Sequence, residues 1–456
     1  MVEQKELKNR KSLMQEEIFK TIGVSSFDDL VSNLPKNFLF PKLNIPAAKT
    51  ELEVTQKLEK TLGSMPKITS FLGAGAYDHY IPHAVPQVAG RGEFLTAYTP
   101  YQAEASQGTL IALFEFQTMI AELMGLDVAN ASLYDGATAL VEAMFLAKKH
   151  FAEDLRLSPK KIAIPESLHP HYKETLKTYI NYIDIELIEI GFDKNTGKLD
   201  INELKRALQD PGVFAFTISQ PNFFGTIEDI EEISALKNTT RALFISVANN
   251  PITLGTLKSP GEYSADIAIA EGQPLGVPLS FGGPYLGLFA AKKELMRKLP
   301  GRISGQTIDS ANNTGYTLTL QTREQHIRRE RATSNICTNQ TLCAIMSTIY
   351  LSLTGPDGLK EAAESSFSKS HELYKAITES KLAAPLFDHE EFFLEFPIRI
   401  EASAAKIDKL SKKMNLIPGY DLSKEFPEFK NCYLVAATEK TTREDMEKLM
   451  DFLKRL

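Results

Sequence analysis

Side chains that could bind or activate a small molecule stand directly after short apolar runs of this sequence. The runs KIAIPE, VFAFTIS, ALFISVA and ADIAIA are followed by a loop with Ser167, His169 and His171 and then by QPNFFG, NNPITLG and EGQPLG. His169 is the best single candidate, because an imidazole in the first of these loops can lie flat against a pyridine ring. A surface histidine ahead of a helix is the alternative interpretation.

A second candidate site follows the turn signal Tyr134-Asp135-Gly136, where a helical pattern begins. The residues Gly136, Ala137 and Thr138 are small. Small residues at the start of a helix let an anion approach the free backbone amides. This segment therefore predicts an anion-binding helix terminus.

Arginines form a third candidate. They are Arg323, Arg328, Arg329 and Arg331, beside Thr333, Ser334 and Asn335. Guanidinium groups grip phosphates and carboxylates, and Arg328 and Arg329 are the predicted anion-binding pair. Glu324 and Glu330 within the same stretch favour a solvated charged face equally well.

Histidine spacing gives little support for a metal site. His169 and His171 lack a nearby carboxylate or cysteine that would complete a ligand set. His79 and His83 have helical spacing, but Pro82 between them disfavours a regular helix. We predict no metal centre.

The elements that position these residues are indicated by apolar runs that alternate with helical patterns from about Lys161 to Ala270. Such alternation predicts crossover units and a parallel sheet with both faces covered. In an open parallel sheet the ligand lies beyond the carboxyl ends of the strands. The candidate loops above should therefore meet at one edge.

Composition restricts the function classes. The chain has 456 residues and a formal net charge of -7, which disfavours a nucleic-acid-binding surface. Three cysteines without a CxxC pair fit a reducing compartment, and we predict the cytoplasm. The uncharged stretches 272–291 and 332–356 are interrupted by prolines, glycines and polar residues, so we predict no membrane span.

Three regions are expected along the chain. Residues 1–70 are mostly helical and polar, include the connector LPKNFLFPKL, and are typical of an arm that packs on something else. Residues 71–330 carry the alternating pattern. Residues 331–456 combine long helices with the strands FFLEFPI and CYLVAAT, which predicts a smaller α/β domain with an antiparallel sheet.

Four long stretches carry a resemblance to a known family. They are FLGAGAYDHYIPHAVPQV from Phe71, TAYTPYQAEASQGTLIALFEFQTMIAELMGLDVANASLYDGATA from Thr96, ADIAIAEGQPLGVPLSFGGP from Ala265 and LTLQTREQHIRRERATSNICTNQTLCA from Leu318. The chain resembles the P-protein family, the glycine decarboxylases of the glycine cleavage system, and within it the first subunit of the form that is split into two chains.

The resemblance implies the fold type I architecture of pyridoxal-phosphate enzymes, an α/β fold with a mainly parallel seven-stranded sheet and a smaller C-terminal α/β domain. Such an enzyme holds its cofactor on a lysine amine. The lysine position falls at Pro274, or at Gln273 if the register slips by one, and residues 260–291 contain no lysine. The acid that pairs with the pyridine nitrogen falls near Ser246, and His169 matches the histidine that stacks on the ring.

The resemblance also implies partners and a reaction. Pyridoxal phosphate is expected on a lysine-bearing second P-protein subunit, in an α2β2 assembly, and not covalently on this chain. The complex would decarboxylate glycine and pass the aminomethyl group to the lipoyl arm of H-protein. This chain would contribute AYTPYQAEASQG to the partner's active site, with the candidate lining residues Tyr98, Tyr101, Gln102, Glu104 and Gln107.

Two alternatives stay open at this stage. One is a non-catalytic scaffold of the same fold that only docks the partner or the carrier. The other is an independent aminotransferase-like enzyme that uses Lys258, the nearest amine on the preceding loop, although a solvated charge is the simpler interpretation of this residue.

Overall fold

The structure is a computed structural model that describes residues 14–39, 44–388 and 391–456. It divides into two compact units, Met1–Pro66 and Lys67–Leu456. The first thirteen residues of the charged amino terminus and residues 40–43 of the connector lie outside the described residues.

The first unit consists of short helices. They span 14–22, Phe27–Leu30 and Glu51–Gly63, with a 3-10 turn at Lys36–Phe38. Glu51–Gly63 begins with a capping box, in which the Thr50 side chain accepts from the Glu53 amide and the Glu53 carboxylate accepts from the Thr50 amide. None of the residues in Phe27–Leu30 or Glu51–Gly63 is buried. The backbone amides at the start of Glu51–Gly63 are therefore hydrogen-bonded, but the side chains of this helix do not contribute to a hydrophobic core.

The second unit is built on a seven-stranded sheet. Its strands are β1 (Val128–Ala129), β2 (Lys161–Pro165), β3 (Glu186–Ile190), β4 (Val213–Ser219), β5 (Leu243–Ala248), β6 (Ile267–Glu271) and β7 (Gly287–Ala291). Their spatial order is β1-β7-β6-β5-β4-β2-β3. Strands β2 to β6 pair in parallel, whereas β7 is antiparallel to both β6 and β1. The mainly parallel seven-stranded sheet predicted above is confirmed.

Helices cover both faces of this sheet. The principal ones are α1 (Gln107–Met124), α2 (Gly136–Glu153), α3 (Pro170–Ile180), α4 (Ile201–Ala207) and α5 (Ile230–Lys237), and Ala84–Ala89 and Gly92–Leu95 are shorter. Gly125 caps the carboxyl end of helix α1, and its φ of 64° is the left-handed conformation that favours glycine. Asp135 caps the amino end of helix α2, where its side chain accepts from the Thr138 amide.

Alternate residues of β6 show how the core is divided. Ile267 and Ile269 belong to an apolar cluster with Leu140 of α2. Ala268 and Ala270 belong to another cluster with residues of α1, such as Leu113. Since successive side chains of a strand point to opposite faces, the sheet is buried on both sides, as a parallel sheet requires.

An antiparallel hairpin, β8 (Ser304–Ile308) and β9 (Thr314–Leu318), packs on α1. The sequence patterns do not predict this hairpin. The strands read SGQTI and TGYTL, and their few apolar residues give no alternating pattern.

The carboxyl-terminal part contains α6 (Thr341–Glu379) and a four-stranded antiparallel sheet. The sequence predicts two helices here, and they are contiguous in the structure, with Gly355 in a non-helical conformation at φ 59° and ψ -172° just before Pro356. The sheet is made of Ala384–Pro385, Glu395–Arg399, Cys432–Ala436 and Tyr420–Asp421, and the helices Ala404–Met414 and Arg443–Arg455 accompany it. Each helix in the described ranges is too short or too polar to cross a bilayer.

Candidate active site

The candidate loops meet at one edge of the sheet. Strands β2, β4, β5 and β6 are parallel, so their carboxyl ends share an edge. His169 follows β2 there, and Gln273 follows β6. This edge is the position where a ligand binds in open α/β sheets.

At Gln273, the alternative of the two positions expected for the lysine, the side chain is an amide with all of its hydrogen-bonding groups engaged. Gln273 is 2% exposed. Its Oε1 accepts from the Tyr77 amide at 2.9 Å, and its Nε2 donates to the carbonyls of Tyr77 at 3.0 Å and Val277 at 2.9 Å. The adjacent Pro274 is buried as well. Neither register supplies an amine, and the Gln273 side chain ties two segments of backbone together.

The predicted anion site at the start of α2 is filled by a carboxylate of the chain itself. Glu271 accepts from the Gly136 amide at 3.0 Å and from the amides of Gln273 and Leu286 at 3.1 Å each. Burial raises the pKa of Glu271 to about 7, although the backbone donors act in the opposite direction. The Thr138 amide donates to Asp135 at 2.8 Å. The amides of Gly136 and Thr138 are therefore both engaged.

The space in front of Gly136 is occupied by a phenol. A Cβ atom built on Gly136 would lie 2.0 Å from the Tyr172 hydroxyl and 3.1 Å from the Glu271 amide nitrogen. Tyr172 is buried, and burial together with the negative charge of Glu271 raises its pKa well above the usual range. Only glycine fits at position 136, and the groups that require it belong to this chain.

His169 is enclosed in the same way. It is 5% exposed, its Nε2 lies 2.8 Å from the Ala74 carbonyl, and its Nδ1 accepts from the His171 amide at 3.1 Å. Burial lowers the pKa of His169 to about 4, so the ring is neutral at pH 7 and Nε2 donates to Ala74. A Cβ on Gly75 would lie 2.5 Å from Nε2, which shows how closely the backbone covers the imidazole.

Ser246 stands where the resemblance places an acid. Its hydroxyl is buried and lies 2.7 Å from the Tyr263 hydroxyl. Asp266 precedes β6 at the opposite edge and pairs with Lys237 at 2.7 Å and Lys292 at 2.6 Å. An amide and a hydroxyl thus stand where the resemblance places the lysine and the acid, and an internal carboxylate fills the predicted anion site. These residues do not fit bound pyridoxal phosphate.

We call the buried region around Glu271, Gln273 and His169 the closed pocket. The segment 97–107 differs from it in exposure. Tyr98 is 88% exposed and Tyr101 is 51% exposed, and Gln102 and Glu104 are exposed too. The Tyr101 ring lies 5.9 Å from the His326 ring, centroid to centroid. This part of the segment presents hydroxyl, amide and carboxylate groups to the exterior.

Gln107 has a different position from the other candidates. Its Nε2 donates to the Tyr316 carbonyl at 2.8 Å and its Oε1 accepts from the Tyr316 amide at 2.9 Å. The Gln107 amide thus fixes the start of α1 to hairpin strand β9.

The arginine that the structure places beside Tyr101 is Arg302. Its guanidinium carbon lies 5.7 Å from the Tyr101 ring centroid. It is 4% exposed and donates to the Asn339 side chain at 2.8 Å and to the Cys337 carbonyl at 2.9 Å. Arg328 and Arg329 are exposed, at the end of the short helix Gln325–Arg328 and in the turn that follows it.

Sequence reasoning missed three residues of this region: Glu271, Tyr172 and Arg302. Glu271 had a usable signal, because a carboxylate directly after a buried strand needs donors and Gly136 begins a helix that supplies one. Arg302 follows a Pro-Gly turn at the start of a strand, which marks its position but not its partner. Tyr172 had no local signal, since it resembles any apolar residue of an amphipathic helix.

Comparison with known proteins agrees with this architecture. The family model described as "Glycine cleavage system P-protein" matches residues 7–453. The probable glycine dehydrogenase (decarboxylating) subunit 1 of Chloroherpeton thalassium is 44% identical, over 96% of this chain and 97% of the relative. A crystal structure of glycine decarboxylase (P-protein) in inhibitor-bound form superposes with a TM-score of 0.87 at 38% identity, covering 96% of this chain and 97% of that one.

A more distant structure shows the fold alone. The glutamate decarboxylase of Lactobacillus brevis has a TM-score of 0.67 at 15% identity, covering 91% of this chain and 94% of that one. The architecture is fold type I of the pyridoxal-phosphate enzymes. This chain belongs to the glycine cleavage system P-protein family.

Proposed function

We propose that this chain is the first subunit of a two-subunit glycine dehydrogenase (decarboxylating) of the glycine cleavage system, and that it is inactive alone. The observation that carries the proposal is the closed pocket, in which neither Pro274 nor Gln273 supplies an amine and the Gln273 side chain bonds to backbone on two sides. Relatives named as subunit 1 align with 96% of this chain. Family membership and the filled pocket together favour a subunit that works only in a complex.

The cofactor, on this proposal, is held by the second subunit, which supplies the lysine. Lys258, on the loop that precedes β6, is ion-paired with Glu231, and that contact raises its pKa. A protonated amine is a poor nucleophile. This arrangement disfavours an independent enzyme that uses Lys258.

The other participants follow from the family. The proposed partners are a lysine-bearing second P-protein subunit in an α2β2 assembly, glycine as substrate, and lipoylated H-protein as acceptor of the aminomethyl group. Tyr98, Tyr101, Gln102 and Glu104 are the groups that this chain offers to the partner's active site, because they are accessible. We propose the cytoplasm as the compartment, and the three cysteines, all of them free, agree with it.

The amino-terminal region is proposed to be an arm over residues 1–70, followed by a large domain to residue 330 and a small one to residue 456. Two helices of the arm carry apolar residues at i, i+4 and i+8. They are Met14, Ile18 and Ile22 in the first helix and Val54, Leu58 and Leu62 in the second, and each is more than 40% exposed. Such stripes are stable only when another surface covers them.

Reconstitution tests the proposal. The chain is mixed with a lysine-bearing homologue and lipoylated carrier, and glycine-dependent exchange of labelled carbon dioxide is measured. We expect no exchange with this chain alone, and exchange when the second subunit is added. Failure to exchange with a second subunit that is shown to bind both its cofactor and this chain would contradict the proposal.

A further inference from the structure

The loop that joins β6 to β7 presents one aromatic side chain entirely to the exterior. Phe281 is 102% exposed, and Leu279 in the same loop is 39% exposed. Phe281 is the most exposed large apolar side chain among the described residues. Removing such a side chain from water is favourable. A chain that leaves it uncovered forgoes that stabilisation.

The backbone of this loop is strained as well. Ser280, Phe281, Gly282 and Gly283 have successive φ values of 45°, 56°, 110° and 128°. The left-handed conformation is unfavourable for Ser280 and Phe281, because these residues carry a Cβ. Strain of this kind persists where the surrounding structure imposes it and is concentrated at functional sites. The exposure of Phe281 and the strain of its backbone together therefore indicate that this loop has a role beyond folding.

The loop is held in place at its base. The Leu279 carbonyl accepts from the Gly282 amide at 2.9 Å and from the Tyr285 hydroxyl at 3.2 Å. Before it, the Val277 carbonyl accepts from Gln273 inside the closed pocket. Phe281 thus projects from a fixed base at the carboxyl end of β6, which is the edge where ligands bind in this fold class.

We infer that Phe281 is an aromatic anchor that inserts into the second, lysine-bearing subunit. The inference rests on the proposed function, which supplies that partner. Relatives named as subunit 1 imply a second chain. A rigid, fully exposed aromatic residue is the type that dominates protein interfaces. Phe281 lies at the carboxyl edge of the sheet, where ligands bind in this fold class. This position favours the lysine-bearing subunit, rather than a second copy of this chain, as the protein that Phe281 contacts.

Affinity measurement tests the anchor. The dissociation constant between the full-length chain and the second subunit is measured by sedimentation over a dilution series for wild type, Phe281→Ala and Tyr182→Ala. Tyr182 is a matched control because it is 95% exposed and lies between α3 and β3, at the opposite edge. We expect Phe281→Ala to weaken assembly about 30-fold, the loss typical of a central interface residue. Tyr182→Ala is expected to change it less than about twofold.

Three results of the sedimentation measurements would overturn the inference. They are a Phe281→Ala affinity within twofold of wild type, an equal loss with Tyr182→Ala, or self-association of the lone chain that Phe281→Ala abolishes. The melting temperature of the lone Phe281→Ala variant is measured too, and we expect no decrease. A lower value would mean that Phe281 packs within its own chain and would also contradict the inference. Wild-type assembly and carbon dioxide exchange test the proposed function separately, so the two failures are distinguishable.

Discussion

Two regions of this molecule, each expected to serve an active site, are built in opposite ways. In the pocket at the carboxyl edge of the sheet, Glu271, Gln273 and His169 are buried and bonded to groups of the same chain. In the segment 97–104, Tyr98 and Tyr101 are exposed. Within one chain, the polar groups at the sheet edge are thus enclosed, whereas those of the segment 97–104 remain accessible.

The closed pocket is part of the core. Removing its central carboxylate, Glu271, should cause the largest loss of stability. Glu271→Ala leaves the buried amides of Gly136, Gln273 and Leu286 without their acceptor. We expect the free energy of unfolding of the lone chain at pH 7 to fall by about 4 kcal/mol, as several unsatisfied buried donors would cost.

Urea denaturation measures this loss. Glu231→Ala is the matched control, because Glu231 is an exposed partner of Lys258, and its removal should cost less than about 1 kcal/mol. If Glu271→Ala cost no more than the control, the pocket would not be closed by this carboxylate.

A smaller effect is expected from filling the position that only glycine fits. Gly136→Ala places a Cβ 2.0 Å from the Tyr172 hydroxyl, which should cost about 2 kcal/mol through overpacking. Removing that hydroxyl in the Gly136→Ala/Tyr172→Phe double variant should recover part of the loss. A double-mutant cycle by chemical denaturation measures the coupling. Strictly additive effects would show that the phenol does not occupy this space.

Through His169, lowering the pH should destabilise the folded chain, because this buried imidazole resists protonation. Its pKa is lowered to about 4 in the folded chain, against about 6.5 when unfolded. The unfolded chain therefore binds the proton first as pH falls below 6.5. The stability that His169 contributes should decrease by about 2 kcal/mol between pH 7 and pH 5.

The readout is the difference in unfolding free energy between wild type and His169→Gln. This difference removes the opposite pH dependence of buried carboxyls such as Glu271, whose pKa is raised to about 7 and which lose stability as pH rises. A difference that is constant with pH would contradict an enclosed, neutral imidazole.

Substitutions in the exposed segment 97–104 should have almost no effect on the stability of the lone chain. Tyr98→Phe and Tyr101→Phe, made together, should change its unfolding free energy by less than about 0.5 kcal/mol. In the assembled enzyme the same change should lower the turnover of glycine about tenfold, as loss of one interaction of about 1.4 kcal/mol in the transition state would do. Unchanged turnover with intact assembly would favour the non-catalytic scaffold.

The sequence predicted the crossover pattern and the missing amine because both are local: apolar runs identify strands, and lysine is absent between residues 260 and 291. It could not predict which side chains fill the pocket. Glu271 and Gly136 are 135 positions apart, and only the sheet order brings them together. The hairpin Ser304–Leu318 is not predicted because its strands are polar, and the contact between Gln107 and Tyr316 is not predicted because the two residues lie 209 positions apart.

The most direct test of the closed pocket is covalent trapping of pyridoxal phosphate. The lone chain is incubated with the cofactor and reduced with borohydride, and peptides are mapped by mass spectrometry; the assembled complex is treated identically. We expect no stoichiometric label on this chain in either sample and one labelled lysine on the second subunit. A stoichiometrically labelled lysine on the lone chain would contradict the account.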